Sequence, residues 1–417
     1  MLQGKGIAKL QLRRQHFSCI FTPYQYVNQT TGLIMQRSMA TVSSRQNRIP
    51  AAYYRGGTSR GLMFKQSDLP ENWNDWGPIF RGALGSPDPN GRQLDGLGTG
   101  IGSLSKICVI APSEREDADV DYTFVQIGVK DGAVDYSSNC GNMSSAVGPF
   151  AVDCGMVPVK SDGETQVRIF NTNTNKLIKS RFQVLDGEAV TDGPFSIAGV
   201  AGTGAKIELA FVNPAGSRTG KLLPTGRVLD DFDGIKASCI DVGNPCVFVQ
   251  AADLGVDGTI LPDQAEAHPD LVRKLEKLRR MAAVTMGLAT DEASVPEAAP
   301  KIIMVSPPSS YSTLSRERVN AESTDLVVRS LSGMGFHRAL QITASLATAV
   351  AAKTEGTLVA ATLAPKPVDA GGITLGHPSG TLLVAAKFEA EGSVSEATVF
   401  RTARRIMEGQ VFWKASQ

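Results

Sequence analysis

Several features that would mark a common class of protein are missing from this sequence. No stretch approaches the ~18 apolar residues that a membrane-spanning helix needs, and the longest uncharged helical candidate covers only residues 339–352. The net charge is +1, so the composition gives no sign of a nucleic acid or an acidic membrane surface as partner. The six cysteines include no CxxC pair and no cluster with histidine at zinc-ligand spacing. We therefore predict reduced cysteines, no metal, no membrane segment and no nucleic-acid partner.

Acidic residues are absent from the first 50 positions, which contain seven Lys or Arg and leave 35 basic against 41 acidic residues in the rest of the chain. A leader with arginine and serine but no continuous apolar run resembles a mitochondrial presequence. The alternative is an extension of a cytoplasmic protein that is disordered or not translated, since a start at Met35 or Met39 would remove most of it. We assign 1–47 to this leader and predict two domains, 48–228 and 229–417, with a C-terminal helix and strand free to return to the first.

Short β-type runs bounded by Gly, Asp, Asn and Pro outnumber helical ones after residue 50. Two buried helices rich in small residues are predicted at 142–157 and 337–356, each near a terminal glycine. Leucines at helical spacing predict a helix at 268–288, and a capping-box signature predicts another at 393–409. Glycine turns and buried helices recur at an offset of about 190–200 residues, which predicts two copies of one α+β plan.

The turn "RGGTSRG" (55–61) has the spacing of a G-x-S-x-G nucleophile elbow. An elbow requires a helix after the serine, whereas the "LMFK" that follows is typical of a strand. Two interpretations stay open. Backbone N–H groups, the Ser59 hydroxyl and the guanidinium of Arg55 or Arg60 bind an anion, or the glycines only shape a turn.

The segment "DGLGTGIGSLSK" (95–106) has four glycines but fits neither the dinucleotide nor the P-loop spacing, and no strand precedes it. It is predicted to be a flexible loop that delivers Ser103, Ser105 and Lys106 to one place. A lysine held near a ligand and partly removed from water can act as a base.

Cys140 lies in "SSNCGNMSSAVG" (137–148), directly before the first predicted buried helix. Metal binding lacks partner residues, and covalent catalysis lacks a neighbouring histidine, although His337 and His377 can approach through the fold. The N–H groups and the macrodipole at a helix N-terminus favour a thiolate, and Gly141 allows a carboxylate to approach the backbone. Proton transfer, covalent catalysis and an inert thiol all stay open on the residues alone.

A second anion-binding wall is predicted in the second half of the chain. His337 is expected to open the second buried helix, and the turn "GHPSG" (376–380) holds His377 and Ser379. Each of these residues alone is more often structural than functional. Their places at the ends of predicted elements, beside Arg338, favour a shared role.

Seven blocks occur in a characteristic order: "RGGTSRG", "DGLGTGIGSLSK", "NCGNMSSAVGPFAVD", "PAGSRTGKLLPTG", "GNPCVFV", "GFHRALQITASLATA" and "GHPSG". Together they resemble the PrpF family of methylaconitate and aconitate isomerases, from Arg48 to the C-terminus. The resemblance implies a diaminopimelate-epimerase-like α+β fold of two similar domains, each a β-sheet wrapped around a central helix, with the active site in the cleft between them. It also implies a double-bond shift in a small unsaturated polycarboxylate, without a metal or organic cofactor.

By this resemblance, Lys106 matches the proposed catalytic lysine of the family and Cys140 its active-site cysteine. The residues it implies for the substrate cleft are Arg55, Ser59, Asn142, Met143 and His337, to which the patterns above add Arg60, Ser103, His377 and Ser379. Arg60, Thr99 and Leu104 depart from the lysine, glycine and threonine usual in the family. These departures bear on the identity of the substrate rather than on the fold.

A two-base epimerase needs acid/base groups on both faces of one carbon, but the second helix offers Gln341 near the position that matches Cys140. We therefore predict a 1,3-proton shift in an aconitate-like tricarboxylate, with Lys106 and Cys140 as the proton-transfer pair. The candidates are cis- or trans-aconitate and 2-methylaconitate. The alternatives are an amino-acid racemase or epimerase of the same fold and a non-catalytic carboxylate-binding protein. The expected partner is the small polycarboxylate itself, and a homodimer is allowed.

Overall fold

Strands dominate the protein, as the alternating runs predict. A computed structural model describes residues 46–137, 139–159, 161–297, 299–332 and 335–414, so nearly all of the predicted leader lies outside the described residues. The strands are β1 Asn47–Gly56, β2 Ser59–Lys65, β3 Lys106–Pro112, β4 Val120–Ile127, β5 Val134–Asp135, β6 Gly163–Asn171, β7 Lys176–Leu185, β8 Glu188–Ala189, β9 Ile207–Val212, β10 Asp230–Phe232, β11 Ile235–Val242, β12 Asn244–Gln250, β13 Lys301–Ser306, β14 Tyr311–Ser312, β15 Arg318–Val319, β16 Leu326–Ser332, β17 Gly335–Phe336, β18 Ile373–His377, β19 Gly380–Phe388, β20 Val394–Arg401 and β21 Ala403–Trp413.

The α-helices are α1 Trp76–Leu84, α2 Gly141–Asp153, α3 Pro262–Ala267, α4 Leu271–Thr285, α5 Ile342–Lys353 and α6 Leu358–Thr362. Short 3₁₀ turns occur at Gln66–Asp68, Trp73–Asp75, Gly102–Leu104, Ala252–Leu254 and Ala321–Ser323. Within the described part of the chain, no helix is long and apolar enough to cross a membrane.

The order of strand pairing is the same in both halves of the chain. In the first half, the pairs β1–β2, β2–β3, β3–β4, β4–β6, β6–β7 and β7–β9 are antiparallel, parallel, antiparallel, parallel, antiparallel and antiparallel. In the second half, β11–β12, β12–β13, β13–β16, β16–β18, β18–β19 and β19–β20 repeat this series. The internal repeat predicted from the glycine turns is therefore confirmed.

Each half encloses one buried helix. Along the chain, helix α2 follows β5 and precedes β6 in the first half, and α5 follows β17 and precedes β18 in the second half. Most of the side chains of both helices are buried all round, as expected for a helix surrounded by strands rather than lying on a surface. Small residues allow this enclosure, since Gly148 has no room for a Cβ beside Ser180 and Phe182.

Strands from the end of the chain join the two halves. Strand β20 pairs with β9 of the first half and with β19 of the second, and β21 pairs antiparallel with β1 along its length. The C-terminal strand therefore returns to the beginning of the described chain.

The helix predicted at 393–409 is wrong, because this segment forms β20 and β21. Its capping-box serine and glutamate have other partners: Ser393 donates to Glu391, and Glu396 accepts from Lys179 of β7 and Lys387 of β19. The β-branched residues Val394 and Thr398 fit a strand paired on both sides, and tertiary pairing outweighs the local signature.

The other helix predictions need only new boundaries. Helix α4 matches 268–288, with Leu271, Leu275 and Leu278 buried as expected. Helix α5 begins five residues later than predicted, at Ile342. His337 therefore does not open this helix; it follows β17 and donates its backbone N–H to Ser330.

Candidate active site

An amine and a thiol meet at the N-terminus of α2. Lys106 Nζ lies 2.9 Å from Cys140 Sγ and 3.3 Å from Ser59 Oγ, while the sulfur lies 4.0 Å from the same hydroxyl. The lysine also stands 5.5 Å from the centroid of the Phe124 ring, a cation–π distance. Ser59 is 1% and Cys140 8% exposed, so the group is shielded from bulk water. At this separation a proton can pass directly between nitrogen and sulfur.

Strand register explains why these side chains converge. Gly61 of β2 pairs with Lys106 at the start of β3, and Ser59 precedes Gly61 on the same face, because side chains alternate along a strand. Cys140 is the N-cap residue of α2. Gly56 allows the helix to lie against this sheet, since a Cβ there would stand 2.6 Å from Asn142 O. The glycine turn thus positions the helix and the serine together.

The first turn of α2 is fastened by polar contacts. Asn142 Nδ2 donates to Thr58 Oγ1 at 3.1 Å, and Asn142 Oδ1 accepts from Arg401 Nε at 3.3 Å. Met143 is fully buried and packs in the core below. Asn142 therefore joins the glycine turn to the last strands, whereas Met143 supports the helix from inside.

Arg401 is a buried cation that the sequence interpretation missed. Arg401 is 7% exposed, and burial lowers the pKa of its guanidinium to about 10. Its contacts are the Asn142 oxygen and the carbonyl of Phe400, and among the described residues no carboxylate lies within ion-pair distance. A buried charge without a counter-ion is unfavourable unless the site serves to attract one. The sequence analysis did not identify Arg401 because it assigned 393–409 to a helix, whereas Arg401 ends strand β20.

The N-termini of the two buried helices touch. A Cβ on Gly141 would stand 2.8 Å from Ile342 Cγ2 and 2.9 Å from Ile342 Cβ. Gly141 is thus required by its neighbour in α5. Cys140 and Gln341 are the N-cap residues of α2 and α5. The contact therefore places the thiol of one half and the amide of the other at the point where the two helix N-termini meet.

We expect Gly141→Ala to lower the free energy of unfolding by about 1–3 kcal/mol, because the added methyl group overlaps a β-branched side chain that cannot rotate out of the way. Urea denaturation of Gly141→Ala, Ile342→Ala and the double variant measures this effect. The double variant should lose less stability than the sum of the single variants. Strictly additive losses would show that the two helix ends are not in contact.

The second half carries its own lysine at the matching place. Lys301 begins β13 as Lys106 begins β3, and its Nζ donates to Thr343 Oγ1 in the first turn of α5 at 2.8 Å. Burial lowers the pKa of Lys301. His337 lies nearby, with Nε2 2.9 Å from Ser332 Oγ, and burial together with the charge of Lys301 lowers the pKa of His337 to about 4. His337 is therefore neutral near pH 7 and is no cationic carboxylate ligand there.

Arg55 and Arg60 do not join the lysine–cysteine pair. They are cross-strand partners on the face of the sheet opposite Gly56 and Ser59. Arg55 Nη1 donates to the carbonyls of Gly57 and Thr402, and Arg60 lies 6.0 Å from the ring of Tyr53. Arg55 thus holds the glycine turn from behind.

The loop 95–105 is organised by Gln93, a buried residue that the sequence interpretation did not single out. Gln93 Oε1 accepts from Gly100 N and Ser105 Oγ at 3.0 and 2.7 Å, and its Nε2 donates to Ser86. Ser105 is therefore structural, and Ser103 is exposed in a 3₁₀ turn. Of the three polar residues predicted to meet in this loop, Lys106 reaches the thiol.

His377 ends β18, and Ser379 lies in the turn that leads to β19. Ser379 N donates to His377 Nδ1 at 3.2 Å, which places the ring proton on Nε2, and the Ser379 hydroxyl donates to Arg338 O. His377 is 4% exposed, and burial together with the charge of Arg401 lowers its pKa to about 3. The imidazole is neutral at pH 7, so His377 brings no positive charge to the predicted anion-binding wall.

We expect the free energy of unfolding to fall as the pH is lowered from about 6.5 towards 3, because unfolded His377 binds a proton in this range and the folded residue does not. One histidine contributes a slope of at most about 1.4 kcal/mol per pH unit. Urea denaturation from pH 7 to pH 4.5 should show a shallower decline for His377→Asn, whose amide oxygen can still accept from Ser379 N. Parallel curves for variant and wild type would contradict the assignment.

The described residues include no group of three or more His, Cys, Asp or Glu placed to hold a metal ion. They do place three cations, Lys106, Lys301 and Arg401, at the helix N-terminal ends, none with a carboxylate within 4 Å in this part of the protein. Two helix N-termini add positive potential at the same place. The arrangement can attract an anion with several negative charges and move a proton beside it.

A lysine–thiol pair thus lies where two buried helix N-termini meet, within two copies of one strand pattern on an α+β scaffold. The sequence model described as PrpF protein matches residues 46–414. The chain belongs to the PrpF family, and it is an isomerase. Both the family and the fold predicted from the seven blocks are confirmed.

Named relatives agree over almost their whole length. The chain is 40% identical to a 3-methylitaconate isomerase of Eubacterium barkeri, covering 88% of this chain and 98% of the relative. It is 38% identical to a 2-methyl-aconitate isomerase of Cupriavidus necator, covering 88% and 97%. A crystal structure of methylitaconate-delta-isomerase superimposes with a TM-score of 0.83 at 39% identity, covering 89% of this chain and 96% of that one.

Proposed function

We propose that this isomerase moves a double bond by 1,3-proton transfer in an aconitate-like unsaturated tricarboxylate. The observation that carries the proposal is the 2.9 Å contact between Lys106 Nζ and Cys140 Sγ beside the N-terminus of α2. The names of the relatives support the substrate class, since they include isomerases of methylaconitate, methylitaconate and, at 35% identity in a Novosphingobium strain, (4E)-oxalomesaconate. The candidates are cis-aconitate, trans-aconitate and 2-methylaconitate.

The reaction needs few parts. A base removes a proton from a methylene group that is activated by an adjacent double bond and carboxylate, which leaves an allylic carbanion. A conjugate acid then returns a proton to the far carbon of the allyl system, so that atoms and charge balance. Lys106 and Cys140 together can hold and exchange that proton, and the donors of Ser59 and the N-terminus of α2 can stabilise the anion.

Side chains and the backbone N–H groups at the N-terminus of α2 can supply every one of these parts, so the proposed reaction is independent of a cofactor. Three cations, Lys106, Lys301 and Arg401, lie near the helix N-termini, whereas one would balance the charge of a monocarboxylate. This excess of positive charge favours a polycarboxylate substrate. The alternative of a two-thiol epimerase finds less support, because the N-cap residue of α5 is Gln341 where α2 has Cys140.

The proposal is tested with purified protein, dialysed against EDTA, and a panel of the three candidate acids together with methylitaconate and proline. ¹H NMR should show conversion of at least one tricarboxylate to its double-bond isomer at the same rate with and without EDTA. Conversion of proline alone, or no conversion by folded protein, would overturn the proposal. Activity that EDTA removes would overturn its cofactor independence.

A further inference from the structure

The internal repeat gives every element of the lysine–cysteine site a counterpart in the second half. Gly61 and Lys106 face each other across the parallel pair β2–β3, and Cys246 and Lys301 do so across β12–β13. The N-cap of α2 is Cys140, and the N-cap of α5 is Gln341. The second half thus keeps the lysine but has an amide in place of the thiol.

The side-chain amide of Gln341 is buried and makes no hydrogen bond among the described residues. Both its amide oxygen and its amide nitrogen are inaccessible to water, and neither has a hydrogen-bond partner among the described residues. A buried amide left unpaired costs about 1–3 kcal/mol per group, so a site that retains one needs an explanation. Because Ile342 packs on Gly141, this amide lies at the end of α5 that faces the N-terminus of α2.

Lys301 lies at the first turn of the same helix. Its Nζ donates to Thr343 Oγ1 at 2.8 Å, and no carboxylate in the described part of the chain lies within 4 Å of it. An ammonium group has three N–H donors, so this bond leaves donors to offer to a ligand. His337 does not compete for an anion, because burial keeps it neutral and its Nε2 faces Ser332.

We propose that Lys301 and Gln341 bind one carboxylate group of the substrate, so that the second half holds a charge while the first half moves the proton. Lys301 supplies the positive charge, and the Gln341 amide N–H and the N-terminus of α5 supply neutral donors. The inference rests on the proposed function only in taking the substrate to be a polycarboxylate. It makes this pair a determinant of selectivity for acids that carry a carboxylate away from the reacting carbons.

The test uses propane-1,2,3-tricarboxylate, a saturated acid that cannot be isomerised, and calorimetric titration of the whole protein. Wild type should bind it, and Lys301→Met should bind it about 10- to 100-fold more weakly, as expected for a lost charge-assisted hydrogen bond. Lys353→Met is the matched control, because Lys353 lies at the other end of α5 and donates to Ala386 O. It should bind like wild type.

Gln341→Glu provides a second, nearly isosteric variant. The carboxylate that this variant introduces would form an ion pair with Lys301 and compete with the substrate. It should weaken binding of the tricarboxylate at least as much as Lys301→Met does. Lys301→Met should remain folded in a thermal scan, because replacing a buried charge by an apolar chain seldom destabilises a protein. If it does not fold, Gln341→Glu decides the question alone.

The inference is overturned if both folded variants bind within about twofold of wild type, or if wild type does not bind the tricarboxylate at all. Failure of the proposed function looks different. Binding that depends on Lys301, together with no turnover of any unsaturated acid, would leave this subsite standing on a protein that does not catalyse the proposed reaction.

Discussion

Lys106→Met is expected to lower kcat by about 10²- to 10⁴-fold, the range that a positioned acid/base group contributes. Methionine keeps an apolar stem of nearly the same length, whereas the proton carrier and its cation–π contact with Phe124 are lost. The ammonium–thiol contact at 2.9 Å and the contact with Ser59 at 3.3 Å disappear together. Steady-state kinetics with the best tricarboxylate of the panel, beside a thermal scan, separates loss of chemistry from loss of fold.

The chain offers a matched control at the opposite end of α2. Lys65 Nζ donates to the carbonyl of Cys154, the C-cap residue of the same helix, at 3.3 Å. Lys65→Met therefore removes a lysine that contacts the cysteine at the C-terminal end of α2, whereas Lys106 contacts the cysteine at its N-terminal end. We expect its kcat to stay within about threefold of wild type. Equal losses for both lysine variants would show that the defect is structural rather than chemical.

Cys140→Ser is expected to lower kcat by at least about 10²-fold, because a hydroxyl is a far weaker acid than a thiol and cannot exchange a proton with Lys106 in the same way. Oxygen is only slightly smaller than sulfur, so packing around this buried residue should change little. Cys154→Ser, at the other end of the helix, is the control and should retain activity. Initial rates over a range of tricarboxylate concentrations give kcat and KM for both serine variants.

The double variant Lys106→Met/Cys140→Ser shows whether the two residues act as one unit. Groups that share one proton-transfer step are strongly non-additive, so the double variant should be scarcely slower than the slower single variant. If Cys140→Ser retains full activity, the lysine does the essential work alone and the thiol is a bystander.

Local patterns in the sequence were sufficient for much of the fold and for the centre of the site. Alternating apolar runs predicted the strands, and small apolar residues ending at Gly155 predicted α2. The glycine turns predicted the repeat, and with it the match between Cys140 and Gln341. The family resemblance supplied the pairing of Lys106 with Cys140, which sequence spacing alone cannot give because 34 residues separate them.

Long-range contacts account for what the sequence did not reveal. The segment that holds Arg401 has a helix-capping signature, and only pairing with β9 and β19 makes it a strand. Arg55 and Arg60 looked like anion ligands because they flank a glycine turn, yet strand alternation turns them to the other face of the sheet. His377 was predicted to line an anion-binding wall, and the sequence could not show that burial lowers its pKa and keeps it neutral at pH 7.

The repeat in the sequence contains a signal for Lys301. "KICVIAP" and "KIIMVSPP" both begin with a lysine that enters an apolar strand, and they lie at the offset that relates the two buried helices. The signal was present, but its meaning depended on knowing that both lysines reach the first turn of a central helix.

Transfer of a proton to and from carbon by Lys106 and Cys140 is measured by following wild type, Lys106→Met and Cys140→Ser with cis-aconitate, trans-aconitate and 2-methylaconitate in D₂O by NMR. We expect deuterium at an allylic carbon of at least one acid with wild type and, under the same conditions, none above background with either variant. Isomerisation by wild type without any deuterium in substrate or product, or equal exchange by Lys106→Met, would contradict this expectation.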